Sequence, residues 1–207
     1  MAKIFETFTM SSRPLSPDGK ENAPKIYWMK LCYEGQFTDK ESSTVPRLAE
    51  IYERYSLAKN QELLGSKLFW LKLVNSVEVL LLDKHLNLYF INRLTKELTA
   101  RNRSNETFSI KILSSKISGV EKKSITSIER LTKDKNGVFE WRRIKDSKNN
   151  PSAFPVHDRF ACFDGELWHF GADIGGGHKS MAAFSCGWKG TEFELFFSEI
   201  WKTGIKI

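Results

Sequence analysis

Residues 154–177, FPVHDRFACFDGELWHFGADIGGG, concentrate side chains that could bind or cleave a phosphodiester. Asp164-Gly165 is typical of a two-residue hairpin turn, so the stretch predicts two antiparallel strands. Because side chains alternate between the faces of a strand, His157 and Arg159 point the same way, about 6.5–7 Å apart. Histidine can serve as a nucleophile near neutral pH, and arginine holds phosphate oxygens. The pair therefore indicates a phosphate site, whereas the alternative is an amphipathic hairpin whose polar residues face water.

The segment after the second strand, GADIGGGH (171–178), is rich in glycine. Four of its first seven residues are glycine. Glycine lets the backbone approach a ligand closely and turn its N–H groups toward an anion. A histidine, an arginine and a glycine-rich segment together favour a phosphodiester-binding site.

The spacing of these residues resembles a known signature. His157-x-Arg159-x-x-x-x-Asp164, followed after six residues by Gly171-Ala172, is similar to the phospholipase D superfamily pattern H-x-K-x-x-x-x-D, six residues, G-(G/S)-x-x-N. The similarity covers about residues 60–205 and is greatest to the small single-motif members found in bacteria and mobile elements. It implies a phosphodiesterase, and the small form and the absence of a membrane anchor favour a nuclease over a lipase.

The resemblance also assigns roles to residues. His157 would attack phosphorus and form a phosphohistidine, Arg159 would hold the phosphate, and Asp164 would help to orient the site. No metal or other cofactor is required by this chemistry. Single-motif members are usually homodimers, which implies an isologous dimer with one histidine from each copy in a shared site. The glycine segment would contribute Gly171, Ala172 and Gly175 to the phosphate site.

Three positions depart from the family pattern. Arg159 stands where the family has lysine, Ala172 replaces a usual glycine or serine, and Gly175 stands where asparagine is frequent. Arginine binds phosphate but is bulkier and does not give up its proton. These changes could preserve binding and abolish turnover, so the alternative is a catalytically degenerate phospholipase D-like module that binds nucleic acid.

The charge distribution points to a polyanionic partner. The net charge is +7, and residues 93–148 hold 15 Lys and Arg against 7 Asp and Glu. Phosphate contacts by such residues release counterions, which favours DNA or RNA as a partner. Within this segment Trp141 could stack on a base while Arg142 and Arg143 hold the backbone. A solvated, solubilising surface is the other interpretation.

A metal site is also conceivable from composition, but the spacing does not favour one. Strand alternation separates His157 from Asp158, and no His-x-His or His-x-x-x-His pair occurs. We therefore expect a site without metal. The nitrogen and oxygen ligands on offer are His157, Asp158, Asp164, His169 and Asp173.

Strands and helices alternate along most of the chain, which predicts an α/β fold. VEVLLLD (77–83) is typical of a strand buried on both faces, and TEFELFFSEIWKTG (191–204) is a closing helix or strand. The resemblance specifies a phospholipase D-like layered sandwich, a mixed β-sheet flanked by helices. We divide the chain into an N-terminal arm or appended strands (1–43) and the α/β domain (44–207), which begins with a predicted helix at 45–58.

No segment has the length and apolarity of a signal peptide or a membrane span. The three cysteines, Cys32, Cys162 and Cys186, form no Cys-x-x-Cys pair, and their odd number argues against a disulfide framework. We therefore expect a cytoplasmic protein without stable membrane association.

Overall fold

The computed structural model describes residues 25–28, 34–36, 64–101, 106–144, 158–176 and 183–207. The predicted helix at 45–58 lies outside these residues. The described helices are α1 (Leu64–Asn75), α2 (Leu88–Ala100), α3 (Lys122–Asp134) and α4 (Thr191–Thr203). The described strands are β1 (Lys25–Trp28), β2 (Glu34–Gln36), β3 (Glu78–Asn87), β4 (Phe108–Ser118), β5 (Gly137–Arg143), β6 (Arg159–Phe163), β7 (Glu166–Phe170), β8 (Ala183–Lys189) and β9 (Ile205–Lys206).

The nine described strands form one mixed sheet. Its order is β2-β1-β8-β7-β6-β3-β4-β5-β9. Strands β3, β4 and β5 are parallel, with α2 and α3 as their crossovers, and the remaining pairs are antiparallel. The predicted α/β class is therefore confirmed. Strand β1 pairs with β8, so part of the predicted N-terminal region extends the same sheet.

Helices cover both faces of this sheet. The buried side chains of α1, α2 and α3 pack in one apolar cluster with Val79, Leu81 and Ile112 of the sheet. The buried side chains of α4 pack in a second cluster with Leu80 and Leu82. Successive residues of β3 thus point to opposite helix layers, which explains why this strand is an almost continuous apolar run.

The crossover helices are amphipathic, with apolar side chains buried on one face of each. Asn87 caps α2 by accepting a hydrogen bond from the Phe90 N–H at 3.1 Å, which satisfies an otherwise free backbone donor. The inner face of α3 buries Ile125, Ile128 and Thr132. The segment 191–204 contains a helix rather than a strand, with Phe193 and Phe197 buried against the sheet. None of the described helices is long and apolar enough to span a membrane.

The predicted hairpin is present as β6 and β7. Asp164 (φ +50°) and Gly165 (φ +81°) both adopt left-handed conformations at the turn, as a tight hairpin requires. Arg159 pairs with Phe170 at the open end of the hairpin. The alternation is also as predicted, because Ala161 packs in the α1–α3 cluster and Phe160 packs against the α4 cluster.

Candidate functional site

The site around Arg159 is organised by a buried carboxylate, that of Asp83. This residue lies in β3, next to β6, and has no solvent exposure. One carboxylate oxygen, Oδ1, accepts a hydrogen bond from the His85 N–H at 2.8 Å. The other, Oδ2, accepts from the Ile174 N–H at 3.0 Å. Asp83 therefore ties the glycine-rich segment after β7 to the centre of the sheet.

The guanidinium group of Arg159 lies between two carboxylates. Its Nε is 3.3 Å from Oδ1 of Asp83, and its Nη2 is 3.6 Å from Oδ1 of Asp173. The Arg159 side chain is 21% exposed and that of Asp173 is 19% exposed. With both acids ionised, this cluster carries a net negative charge, which disfavours an approaching phosphate.

One carboxylate thus occupies two donors in the region that was predicted to bind phosphate. The Arg159 side chain and a backbone N–H of the glycine segment both contact Asp83. Sequence reasoning did not identify Asp83 as a partner of Arg159. The signal was its position at the end of VEVLLLD, because a carboxylate in a strand buried on both faces requires a cation or several N–H donors.

Burial raises the pKa of the Asp83 carboxyl from its ordinary value of 3.8 to about 6. The hydrogen bonds from the Ile174 and His85 backbone and the charge of Arg159 act in the opposite direction, while the charge of Asp173 raises the pKa further. Desolvation wins because the carboxylate is removed from water, and the cation beside it retains partial solvent contact.

This raised pKa predicts how stability depends on pH. The folded protein binds the Asp83 proton more tightly than the unfolded chain, so the contribution of this group is greatest below pH 4 and is lost as pH rises through about 6. A shift of about two pKa units corresponds to at most about 3 kcal/mol. We expect the difference in unfolding free energy between wild type and Asp83→Asn to fall by up to that amount from pH 4 to pH 7.

Urea denaturation at several pH values measures this difference. Asp134→Asn, which replaces an exposed carboxyl at the end of α3, outside the Asp83 cluster, is the matched control. A wild-type advantage over Asp83→Asn that grows between pH 4 and pH 7 would show that Arg159 and the N–H donors outweigh burial.

Asp164 lies at the opposite end of β6 from Arg159. The two residues are separated by the whole strand, about 16 Å at 3.3 Å per residue. The Asp164 carboxylate accepts hydrogen bonds from the Val77 N–H at 2.9 Å and the Glu78 N–H at 2.8 Å. The structure therefore does not bring the predicted catalytic pair Arg159 and Asp164 together, and Asp164 instead fixes the start of β3.

The three predicted residues of the glycine segment are in different environments. Gly171 is exposed and Ala172 is buried. Gly175 is buried with φ +82°, and its carbonyl oxygen accepts a hydrogen bond from Trp70 Nε1 at 3.1 Å. A Cβ atom there would lie 2.7 Å from the Trp70 ring. The need for glycine at position 175 thus comes from packing against α1.

The basic pair Arg142 and Arg143 is divided between the two faces of β5. Arg142 Nη1 donates to the Trp201 carbonyl at 2.9 Å, and its guanidinium group stacks on the Trp201 ring 4.4 Å from the centroid. Arg143 is exposed. Trp141 is buried and donates to Ser114 Oγ at 2.7 Å, so the interpretation that it stacks on a base is wrong.

The predicted nucleophile, His157, lies outside the residues that the structure describes. His169 lies on the sheet face opposite to Arg159, where its ring packs on Phe160 with centroids 4.9 Å apart. Its Nε2 is 3.7 Å from Asp158 Oδ1. Among the described residues, no group of three or more His, Cys, Asp or Glu side chains is arranged to hold a metal ion.

A separate cavity of about 320 Å³ lies between α1 and strands β7 and β8. Lys72 and Glu166 form an ion pair of 2.9 Å on its wall. Glu166 follows the hairpin turn, so this cavity is at the far end of the hairpin from Arg159. Its lining is completed by Leu68, Leu71, Asn75, Trp168 and Cys186.

Comparison with known proteins adds a weak structural similarity. No protein-family model matches the chain, and no curated protein matches its sequence. One of 24 matching chains of solved structures is TrmBL2, an archaeal chromatin protein whose structure shows a novel mode of DNA binding. The match has 16% identity and a TM-score of 0.42, and covers 69% of this chain and 51% of that chain. This chain therefore spans about half of the TrmBL2 chain, and the similarity is too low to establish a shared fold.

Proposed function

We propose that this chain is a phospholipase D-like module that binds nucleic acid without hydrolysing it. The observation that carries this proposal is the position of the Asp83 carboxylate, which contacts both Arg159 and the Ile174 N–H. The signature residues then maintain the fold at the point where an active member of the superfamily would bind phosphate.

The energetics of this cluster support a structural role. A phosphate that took the place of Asp83 at Arg159 would have to compete with a buried carboxylate that lies 3.3 Å from the guanidinium Nε. Separating the ion pair would leave Asp83 buried without its cation, which is strongly unfavourable. Asp173 on the other side of the guanidinium adds repulsion toward any second anion.

The charge of the chain supports nucleic acid as the partner. The net charge is +7, and the excess resides in residues 93–148. Positive surface charge binds DNA or RNA through phosphate contacts whose strength falls steeply with salt. This binding requires neither a nucleophile nor a metal.

A binding and cleavage assay tests the proposal. Labelled duplex and single-stranded oligonucleotides are incubated with wild type and with His157→Ala in the presence of EDTA. We expect salt-dependent binding that is equal for the two proteins within about twofold, and no cleavage by either. If wild type binds none of these oligonucleotides at low salt, a nucleic-acid-binding function is excluded.

The second candidate is a metal-independent phosphodiesterase of the phospholipase D type, with His157 as nucleophile. The pKa of Asp83, about 6, favours it, because a fraction of molecules near neutral pH carries a neutral Asp83 that holds Arg159 less strongly. This candidate also requires a homodimer. The enzyme is supported if the protein sediments as a dimer, if wild type cleaves in EDTA, and if His157→Ala does not cleave. That result would exclude the module that only binds.

A further inference from the structure

The outer face of α3 presents four cations in a narrow sector. Lys122, Lys123, Arg130 and Lys133 are all exposed. At about 100° per residue these four positions fall within roughly 100° of arc around the helix axis. Thr126 is exposed near the middle of this sector. We call these four side chains the α3 basic face.

Packing of the opposite side fixes the direction of this face. Ile125, Ile128 and Thr132 are buried in the layer between α3 and the sheet. The Thr132 hydroxyl is satisfied by donating to the Ile128 carbonyl at 2.7 Å. Because the helix cannot rotate without exposing this apolar side, the four cations remain directed away from the domain.

Acidic residues border the α3 basic face but do not divide it. Glu121 precedes the helix and contacts Lys123 at 2.6 Å. Glu129, at the edge of the sector, is 3.9 Å from Lys206 Nζ, which brings a further exposed cation to this edge. Asp134 is the last residue of the helix. Within the sector the only other exposed side chain is that of Thr126, which is neutral.

Several other cations of residues 93–148 make contacts within the fold. Arg93 pairs with Glu97 at 2.6 Å. Arg101 is buried, where it donates to the Val74 carbonyl and stacks on the Phe108 ring. Lys135 donates to the carbonyl oxygens of Thr99 and Arg101, and Arg142 is bound to α4. Where the structure describes side-chain exposure in residues 93–148, four of the six exposed cations lie on α3, and the other two are Lys96 and Arg143.

The shape and composition of the α3 basic face favour some nucleic acids over others. The sequence of α3, KKSITSIERLTKD, contains no aromatic residue, so it offers no platform for stacking the bases of a single strand. Phosphates border the major groove of B-DNA, which is about 12 Å wide, so the exposed face of a helix of about 10–12 Å diameter can approach them there, whereas the major groove of duplex RNA is too narrow. From Lys122 to Lys133 the face spans about 16 Å, enough to reach several phosphates.

We propose that the α3 basic face is the surface that contacts the sugar-phosphate backbone of double-stranded DNA. This inference rests on the proposed nucleic-acid-binding function and places that function on a helix face, away from the Arg159 cluster. The contacts are electrostatic, so they carry little dependence on base sequence.

Matched double substitutions test this surface. Arg130→Gln with Lys133→Gln removes two cations of the α3 basic face. The α4 control, Lys189→Gln with Lys202→Gln, removes two exposed cations outside α3, one at the end of β8 and one on α4. Each lost phosphate contact should reduce the slope of log affinity against log salt by about 1. We expect the α3 variant to lose about two units of slope and at least fivefold in affinity for a 30-base-pair DNA duplex, and the α4 control to match wild type.

The outcomes separate this inference from the function on which it rests. If wild type binds no nucleic acid, the proposed function fails. If wild type binds the DNA duplex and the α3 variant retains wild-type affinity and slope, the binding function stands and the α3 basic face is excluded. Tighter binding by wild type to duplex RNA or to single-stranded DNA of the same sequence would overturn the choice of double-stranded DNA. Circular dichroism of each variant tests whether the substitutions by Gln preserve the helices.

Discussion

Gly175→Ala is expected to destabilise the protein by about 4 kcal/mol, the largest effect of any small substitution in the glycine segment. Gly175 has φ +82°, and alanine in a left-handed conformation costs about 1–2 kcal/mol. The added Cβ would lie 2.7 Å from the Trp70 ring and 3.1 Å from the Phe90 ring, both of which are buried. Overpacking of this kind costs about 1–3 kcal/mol more, because neither ring has room to move.

Gly119→Ala separates the two contributions. Gly119 also has a positive φ, +68°, but a Cβ atom there meets nothing within 4 Å. We therefore expect only the conformational cost, about 1–2 kcal/mol, at this position. Urea unfolding followed by tryptophan fluorescence measures both variants. Equal losses for Gly119→Ala and Gly175→Ala would show that residue 175 is not packed on α1, and would restore it as a candidate for ligand binding.

Arg159→Met is expected to destabilise the protein by about 3 kcal/mol at pH 7.5, the low end of the range for removing one partner of a buried ion pair. The change leaves the Asp83 carboxylate buried without the cation that lies 3.3 Å away. The expected loss of unfolding free energy lies at the low end of this range because Arg159 is partly exposed and because Asp83, with a pKa of about 6, can take up a proton.

Arg143→Met is the matched control for this substitution. Arg143, like Arg159, is an arginine at the end of a sheet strand, but it is exposed. Exposed substitutions of this kind usually change stability by less than about 0.5 kcal/mol. Equilibrium unfolding of both variants gives the comparison, and similar losses at positions 143 and 159 would contradict a special role for the Arg159 cluster.

The elements of the fold followed from local patterns in the sequence. The run VEVLLLD indicated a strand covered on both faces, and the structure places its leucines against helices on each side. Asp164-Gly165 indicated the hairpin turn, since these two residues tolerate the left-handed conformations that the turn requires. Such signals are local, because they depend on the residues of the element itself.

The arrangement of the site did not follow from local patterns. The contact between Asp83 and Arg159 joins residues 76 positions apart, and nothing near either residue specifies the other. Adjacent arginines in a strand were expected to act together, but the pleat sends Arg142 to Trp201 and leaves Arg143 exposed. The motif spacing located Arg159 correctly on a strand, yet it could not show which anion that arginine binds.

The energetic coupling between Asp83 and Arg159 tests the central claim most directly. A double-mutant cycle with Asp83→Asn, Arg159→Met and the double variant measures it from unfolding free energies at pH 7.5. If the guanidinium group serves the fold, the two substitutions should be coupled by about 2 kcal/mol, within the range known for contacting charged residues. Additive effects, within about 0.5 kcal/mol, would contradict this account and leave Arg159 free to bind phosphate.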